Sequence, residues 1–148
     1  MLGNQLFMAR NYPSATLHLE RALQAHPGNK AILRKLIICY TQIGETERAL
    51  DAFVSLIKDD IDYIIETNPI SDDCPCPEIV FKLEDDLHGE EASYDDNLVL
   101  GMLWLYCNAE RAWDYFHKAL TQRPGNSKIK SVLTIIKTRI PATNPIKT

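Results

Sequence analysis

Apolar residues return at helical spacing along nearly the whole chain, interrupted by a few short polar or proline-bearing stretches. The pattern predicts helices over about 2–10, 13–26, 30–43 and 46–60, paired as two antiparallel hairpins. Pro13 suits a first helical turn, where its missing N–H has no partner to lose. The fourth pattern continues through Ile61, Tyr63, Ile64 and Ile65 and stops before Asn68-Pro69. TNPISDDCPCPE carries three prolines and no period, which predicts a loop. Pro77 then opens EIVFKLEDDLHG, where Ile79, Val80, Leu83 and Leu87 predict a helix near 77–88. HGEEASYDD is a second loop, and helices near 95–107 and 109–122 make a third hairpin. Last, SKIKSVLTIIKTRI sets Ile129, Val132, Ile136 and Ile140 on one face with lysines opposite, over 127–140, before a tail at 141–148.

The chain writes nearly the same eight letters twice: ALQAHPGN at Ala22 to Asn29 and ALTQRPGN at Ala119 to Asn126. Stepping 34 residues forward from the first segment carries Leu2 onto Leu36, Ala15 onto Ala49, Leu19 onto Phe53 and Leu23 onto Ile57. Arg10 lands on Gly44 in the intervening turn. Small residues at Ala15, Ala22, Ala49, Ala112 and Ala119 let neighbouring helices approach, while Leu19, Phe53 and Phe116 fill the space between them. Each Pro-Gly-Asn ends a helix and turns the chain, since proline lacks the N–H a continuing helix needs. Ala49 and Ala112 are 63 residues apart rather than a multiple of 34, so an irregular segment separates the second and third units.

These letters resemble the tetratricopeptide repeat, whose unit is about 34 residues with a W-x2-L-G-x2-Y, A-x3-F, P skeleton. Leu2-Gly3, Leu6, Ala15, Leu19, Ala22 and Pro27 carry the first unit; Leu33, Leu36, Tyr40, Gly44, Ala49, Phe53 and Leu56 the second. Leu100-Gly101, Trp104, Ala112, Phe116, Ala119 and Pro124 carry the third, with its turn one residue shorter or its first helix shifted. The resemblance implies an all-α fold of stacked antiparallel helix hairpins, a single domain over 1–148. Its parts are a short first repeat (1–29), a second (30–61), an irregular acidic segment (62–94), a third (95–126), a capping helix (127–140) and the tail. The first repeat starts about a turn and a half into its first helix.

Composition adds little except through charge. The 148 residues are 45% apolar and 24% charged, which fits an ordinary globular domain. No apolar run reaches the roughly 20 residues of a membrane span, and MLGNQLFMARNYP lacks the form of a secretory leader. Four scattered cysteines, two of them (Cys39 and Cys107) in apolar helical patterns, favour a reducing cytoplasm. The net charge of −4 hides an asymmetry: residues 59–96 hold 14 acids and one base, and both flanks are basic. Such a block is a solvated face, a docking surface for a basic segment, or a partner for the basic C-terminal helix.

Candidate chemistry is sparse. Cys74-Pro75-Cys76 is the sharpest local oddity, and a metal- or thiol-dependent regulator built on it is one alternative reading. Structural zinc sites pair such cysteines with a second Cys/His pair, which this chain lacks, so no cofactor or metal is expected. His18, His26, His88 and His117 have no nucleophile motif beside them, and no phosphate loop, HExxH or GxSxG occurs, so the chain does not read as an enzyme. The acidic balance and the absence of a basic–aromatic stripe argue against nucleic acid.

What remains is binding. The resemblance implies a protein-interaction module, an adaptor or assembly factor, holding a peptide or helix of another protein in a concave groove lined by first helices. By position, its lining is Asn4, Phe7, Met8, Arg34, Ile38, Thr41, Gln42, Asn97 and Trp104, with Gly101 beside them; Phe7, Ile38 and Trp104 also suit a core. The carboxylate clamp of chaperone-binding members does not carry over. Asn4 fits one slot, but Lys35 stands where an Asn belongs and Tyr94 and Leu98 where two bases belong. The alternative partner is a second copy of the chain, meeting it through the short first helix.

Overall fold

The computed structural model describes residues 2–141, so most of the expected tail lies outside the described residues. Eight helices, and no strand among those residues, follow in order: α1 Leu2–Met8, α2 Tyr12–Ala25, α3 Lys30–Gln42, α4 Thr46–Ile65, α5 Cys76–Asp86, α6 Tyr94–Trp104, α7 Ala109–Gln122 and α8 Ser127–Lys137. The fold is all-α, built of α1–α2, α3–α4 and α6–α7 hairpins. Helix α6 ends three residues short of the predicted 107, leaving Cys107 exposed beyond it rather than in the core.

The repeated Pro-Gly-Asn does more than stop a helix. Asn29 and Asn126 adopt almost the same backbone angles (φ −77°, ψ 103° and φ −76°, ψ 106°). Each side chain accepts from the backbone N–H three residues on, Ile32 at 3.0 Å and Ile129 at 3.1 Å. The two octapeptides therefore run from the last turn of one helix to the cap of the next, meeting donors that would otherwise be orphaned. Asn11, Ser93 and Asn108 cap α2, α6 and α7 in the same way.

The turns inside the first two hairpins share one geometry with different residues. Gly44 takes φ +81°, and Glu45 N–H donates to the Tyr40 carbonyl at 2.9 Å. Arg10 takes φ +62° in the equivalent place, and Asn11 N–H donates to the Leu6 carbonyl at 2.9 Å. A left-handed arginine costs roughly 1 kcal/mol that glycine would not. What the arginine contributes instead is described below.

Packing within hairpins turns on small residues. Ala15, Ala49, Ala112 and Ala119 have no exposed surface, and Ala22 is half-buried. A Cβ on Gly3 would lie 3.2 Å from Leu19, and one on Gly101 would lie 2.8 Å from the Phe116 ring. Phe116 in turn stacks on Phe53 at 5.5 Å, joining the second and third hairpins. The Tyr106 hydroxyl reaches the Arg34 carbonyl at 2.7 Å and joins them again. Helix α6 is buried on every side, from Asn97 through Trp104, as a central helix must be.

The irregular unit changes how the end is covered. Helix α8 buries Ile129, Val132, Leu133 and Ile136 against α7 and also against α4. Lys128 bonds Asp51 at 2.6 Å near the start of α4, and Arg139 bonds Asp62 at 2.6 Å and 2.9 Å near its end. Helices α4 and α8 thus run side by side in the same direction. Helix α4 carries a kink at Asp60 (φ −160°, ψ 82°), after which Ile61 and Ile64 still reach the core.

Gly101→Ala is expected to lower the unfolding free energy by about 1–3 kcal/mol, because Phe116 is wedged against Phe53 and cannot retreat. Gly28→Ala, with nothing within 4 Å, should change it by less than about 0.5 kcal/mol. Urea denaturation of both variants checks the contrast.

Candidate interaction surface

The segment between α4 and α5 folds on itself before it touches anything else. Asn68 Oδ1 accepts from Ile70 N–H at 2.9 Å and Ser71 N–H at 3.0 Å, while Asn68 N–H donates to Asp72 Oδ2 at 2.7 Å. Residue 73 takes φ +49°, a conformation that aspartate tolerates better than most. Cys74 and Cys76 follow, buried with Pro75 between them and with their sulfur atoms side by side, a pair that is a dithiol in a reducing cytoplasm and able to close as a disulfide under oxidising conditions. Helix α5 then sinks Cys76 and Val80 into the core and turns Glu78, Phe81, Lys82, Asp85 and Asp86 outward.

Arginines hold this strap down. Arg34 of α3 donates to the Tyr63 carbonyl and to Thr67 Oγ1, both at 3.2 Å. It lies 3.5 Å from Asp72 and 4.5 Å above the Tyr63 ring. Arg10, in its left-handed turn, lies 3.6 Å from Asp73 and 3.7 Å from Glu78. That placement is what the strained arginine supplies and a glycine could not.

The far half of α5 is anchored by one carboxylate. Glu84 Oε2 accepts from Trp104 Nε1 at 3.1 Å, from Arg111 at 2.6 Å and from the Tyr115 hydroxyl. Arg111 also lies 4.2 Å over the Trp104 ring, and Phe81 meets that ring edge-on at 5.6 Å. Burial pushes the Glu84 carboxyl up, but the Tyr115 and Arg111 donors, the Arg111 charge and the indole N–H outweigh it and hold it below the usual range. Tyr115 is pushed up to about 12, first by burial and then by its bond to Glu84. The acidic segment therefore bridges the first hairpin, through Arg10, to the third, through Arg111 and Trp104.

The predicted lining residues fall into separate groups. Arg34 and Trp104 lie under the acidic segment. Asn4 accepts from Lys35 Nζ at 2.9 Å, and that ammonium sits 5.8 Å over the buried Phe7 ring. Burial lowers the Lys35 pKa, with Arg34 adding to the effect and Asp73 and Asp72 opposing it. Two slots of the clamp pattern that the chain does not match therefore satisfy one another. Met8 and Gln42 are exposed, Thr41 is buried and bonds the carbonyl of buried Ile38 at 2.6 Å, and Gln42 donates to Thr41. Asn97 is buried against α7 instead, bonded to Gln122 at 2.9 Å.

Residues 6–62 match the family model described as tetratricopeptide repeat. That span, somewhat more than a third of the chain, carries the tetratricopeptide repeat pattern. No curated protein matches it. Tetratricopeptide repeats generally mediate contacts between proteins, and the matched span covers most of the first hairpin and nearly all of the second. The strap and α5 lie outside the matched span, as does the third hairpin with its Gly101–Phe116 contact. No helix among the described residues is long and apolar enough to cross a membrane, and no group of three or more His, Cys, Asp or Glu side chains is placed to hold a metal ion. The repeat pattern does not single out Arg10, Glu84, Arg111 or Tyr115. For the three charged residues the signal was the charge map, a block of acids between two basic flanks, and for Tyr115 there was none.

A carboxyl held down in the folded state stabilises it above the unfolded pKa, and that contribution is lost as pH falls through the folded one. Glu84→Gln is expected to cost about 1–2 kcal/mol at neutral pH, since a charge-assisted acceptor of three bonds becomes a neutral one. The gap to the wild type should shrink once pH falls below the ordinary glutamate pKa and be largely gone by about pH 2. Urea titrations at the two pH values check it.

Proposed function

We propose that the chain is a non-catalytic cytoplasmic interaction module, an adaptor or assembly factor, that receives an acidic peptide or helix of a partner across the first helices of its hairpins. One observation carries the reading: the protein's own acidic segment already lies over the first helices α3 and α6, tied to Arg34 of α3, to Arg10 in the α1–α2 turn and to Arg111 of α7 by Asp72, Asp73, Glu78 and Glu84. A resident segment displays the chemistry the surface accepts. Cys76 and Val80 supply apolar contacts at roughly one-turn spacing, and carboxylates at the edges meet arginines. Occupation from within also lowers apparent affinity by the fraction of time the surface is free, which makes loosening the resident a means of control.

The test uses a fluorescent peptide copying residues 70–88 with alanines at 74 and 76, which keep an apolar contact there, titrated by anisotropy into the full chain. Wild type should bind weakly, and Glu84→Gln should bind about tenfold more tightly, equivalent to about 1.4 kcal/mol of released competition. Adding Arg10→Glu to that variant should reverse the gain. Absence of saturable binding to Glu84→Gln, with its helical circular dichroism intact, removes the reading.

A further inference from the structure

The two ends of the acidic segment are held by different physics. Over the first two hairpins the contacts are charge alone. Arg10 lies 3.6 Å from Asp73 and 3.7 Å from Glu78, and Arg34 lies 3.5 Å from Asp72. The hydrogen bonds of these arginines go elsewhere, Arg10 to the Phe7 carbonyl at 3.4 Å and Arg34 to the Tyr63 carbonyl and Thr67. Asp73 Oδ2 has no hydrogen-bond partner. Such contacts accept any carboxylate within reach, whatever residues surround it.

At the third hairpin the contacts are directional. Trp104 Nε1, Arg111 and the Tyr115 hydroxyl all donate to a single oxygen, Glu84 Oε2. Trp104 is 6% exposed, which fixes the line of its N–H, and Arg111 lies 4.2 Å over its ring. Phe81, about one turn before Glu84 on α5, meets the same ring edge-on at 5.6 Å and is otherwise exposed. One tryptophan therefore touches two side chains three residues apart, and Val80 beside Phe81 is buried. Asp85, next to Glu84, points outward. Trp, Tyr and Arg are also the residue types on which binding energy most often concentrates.

We infer that the third hairpin sets the partner's sequence: the surface around Trp104 selects a helix bearing aliphatic–aromatic–x–x–Glu, the pattern of Val80, Phe81 and Glu84. This rests on the reading that a partner's acidic helix takes the place of the resident one. The glutamate is required as such. An amide oxygen is a weaker acceptor for Arg111 and Tyr115, and aspartate is one methylene too short to reach the indole N–H while the aliphatic residue keeps its place. Arg10 and Arg34 add attraction and orientation without distinguishing one acidic sequence from another. The selecting residues lie in α6 and α7, outside the span that matches the family model.

The experiment titrates peptides into the Glu84→Gln full chain, whose own helix is loosened while Trp104, Arg111 and Tyr115 stay in place. The parent peptide copies residues 70–88 with alanines at 74 and 76; three others add Glu84→Gln, Phe81→Ala or Asp85→Asn. Anisotropy should show the Glu84→Gln peptide about tenfold weaker than the parent and the Phe81→Ala peptide about fivefold weaker. The Asp85→Asn peptide loses the same charge and should bind within about twofold of the parent. The chain has two tryptophans, so the ¹⁵N-labelled protein gives two indole N–H signals, assigned by Trp113→Phe. The Trp104 signal should shift saturably with the parent peptide. Equal weakening by Glu84→Gln and Asp85→Asn, or saturable binding of the parent with no shift of Trp104, overturns the inference and leaves the acidic-partner reading standing. No saturable binding of the parent removes both.

Discussion

The hairpins exist because antiparallel helices are allowed to come close at chosen points. Where Gly101 faces Phe116, a single added carbon would fall 2.8 Å from the ring, and Gly3 faces Leu19 almost as tightly. Ala15, Ala49 and Ala112 are sealed from solvent in corresponding positions, and Ala119 two turns further along α7 is sealed as well. These contacts let one large side chain per hairpin sit between helices without a void, and close packing of that kind rewards a unique register. The turns that return the chain, whether built on Gly44 or on a strained Arg10, only have to deliver the second helix to that contact.

Once the hairpins are stacked, electrostatics decides what lies on them. The chain concentrates acids in its middle third and bases at both ends, and the fold brings the two together at several places. Arg10, Arg34 and Arg111 receive the strap and α5, while Arg139 and Lys128 fasten α8 along α4. Most of these pairs are partly exposed, and exposed pairs contribute little stability each. Their value lies in placement. They orient an amphipathic helix whose buried side, Cys76 and Val80, supplies the burial that holds it. A segment held by solvent-screened charges and a narrow apolar stripe is one that a competitor of like chemistry can displace.

Much of this was legible in the letters. The 34-residue step, the alanines and the recurring Pro-Gly-Asn located three hairpins within a few residues, because each reports a local need: a stop, a cap or a close approach. The Asn caps show only in the structure, because proline and glycine beside them already account for the stop. The lining residues fared differently. Periodicity places a residue on a face of its own helix and says nothing of what covers that face, so Phe7, Ile38 and Trp104 suited both a groove and a core, and all three are buried. The acidic segment was recognised by charge, and its bond from Asp62 to Arg139 follows from the basic C-terminal helix, but its path over Arg34 and Trp104 has no counterpart in any spacing.

By itself, then, the amino-acid order determined the helices, their pairing and the kinship of the repeats, since those depend on contacts between residues close in sequence or related by a constant step. Tertiary structure alone decided that α8 runs along α4, that Glu84 gathers three donors from two helices, and that the buried Asn97 bonds Gln122 of α7. Each of these joins residues 20 or more positions apart whose partners are selected by the shape of the assembled stack, and no local pattern encodes that shape.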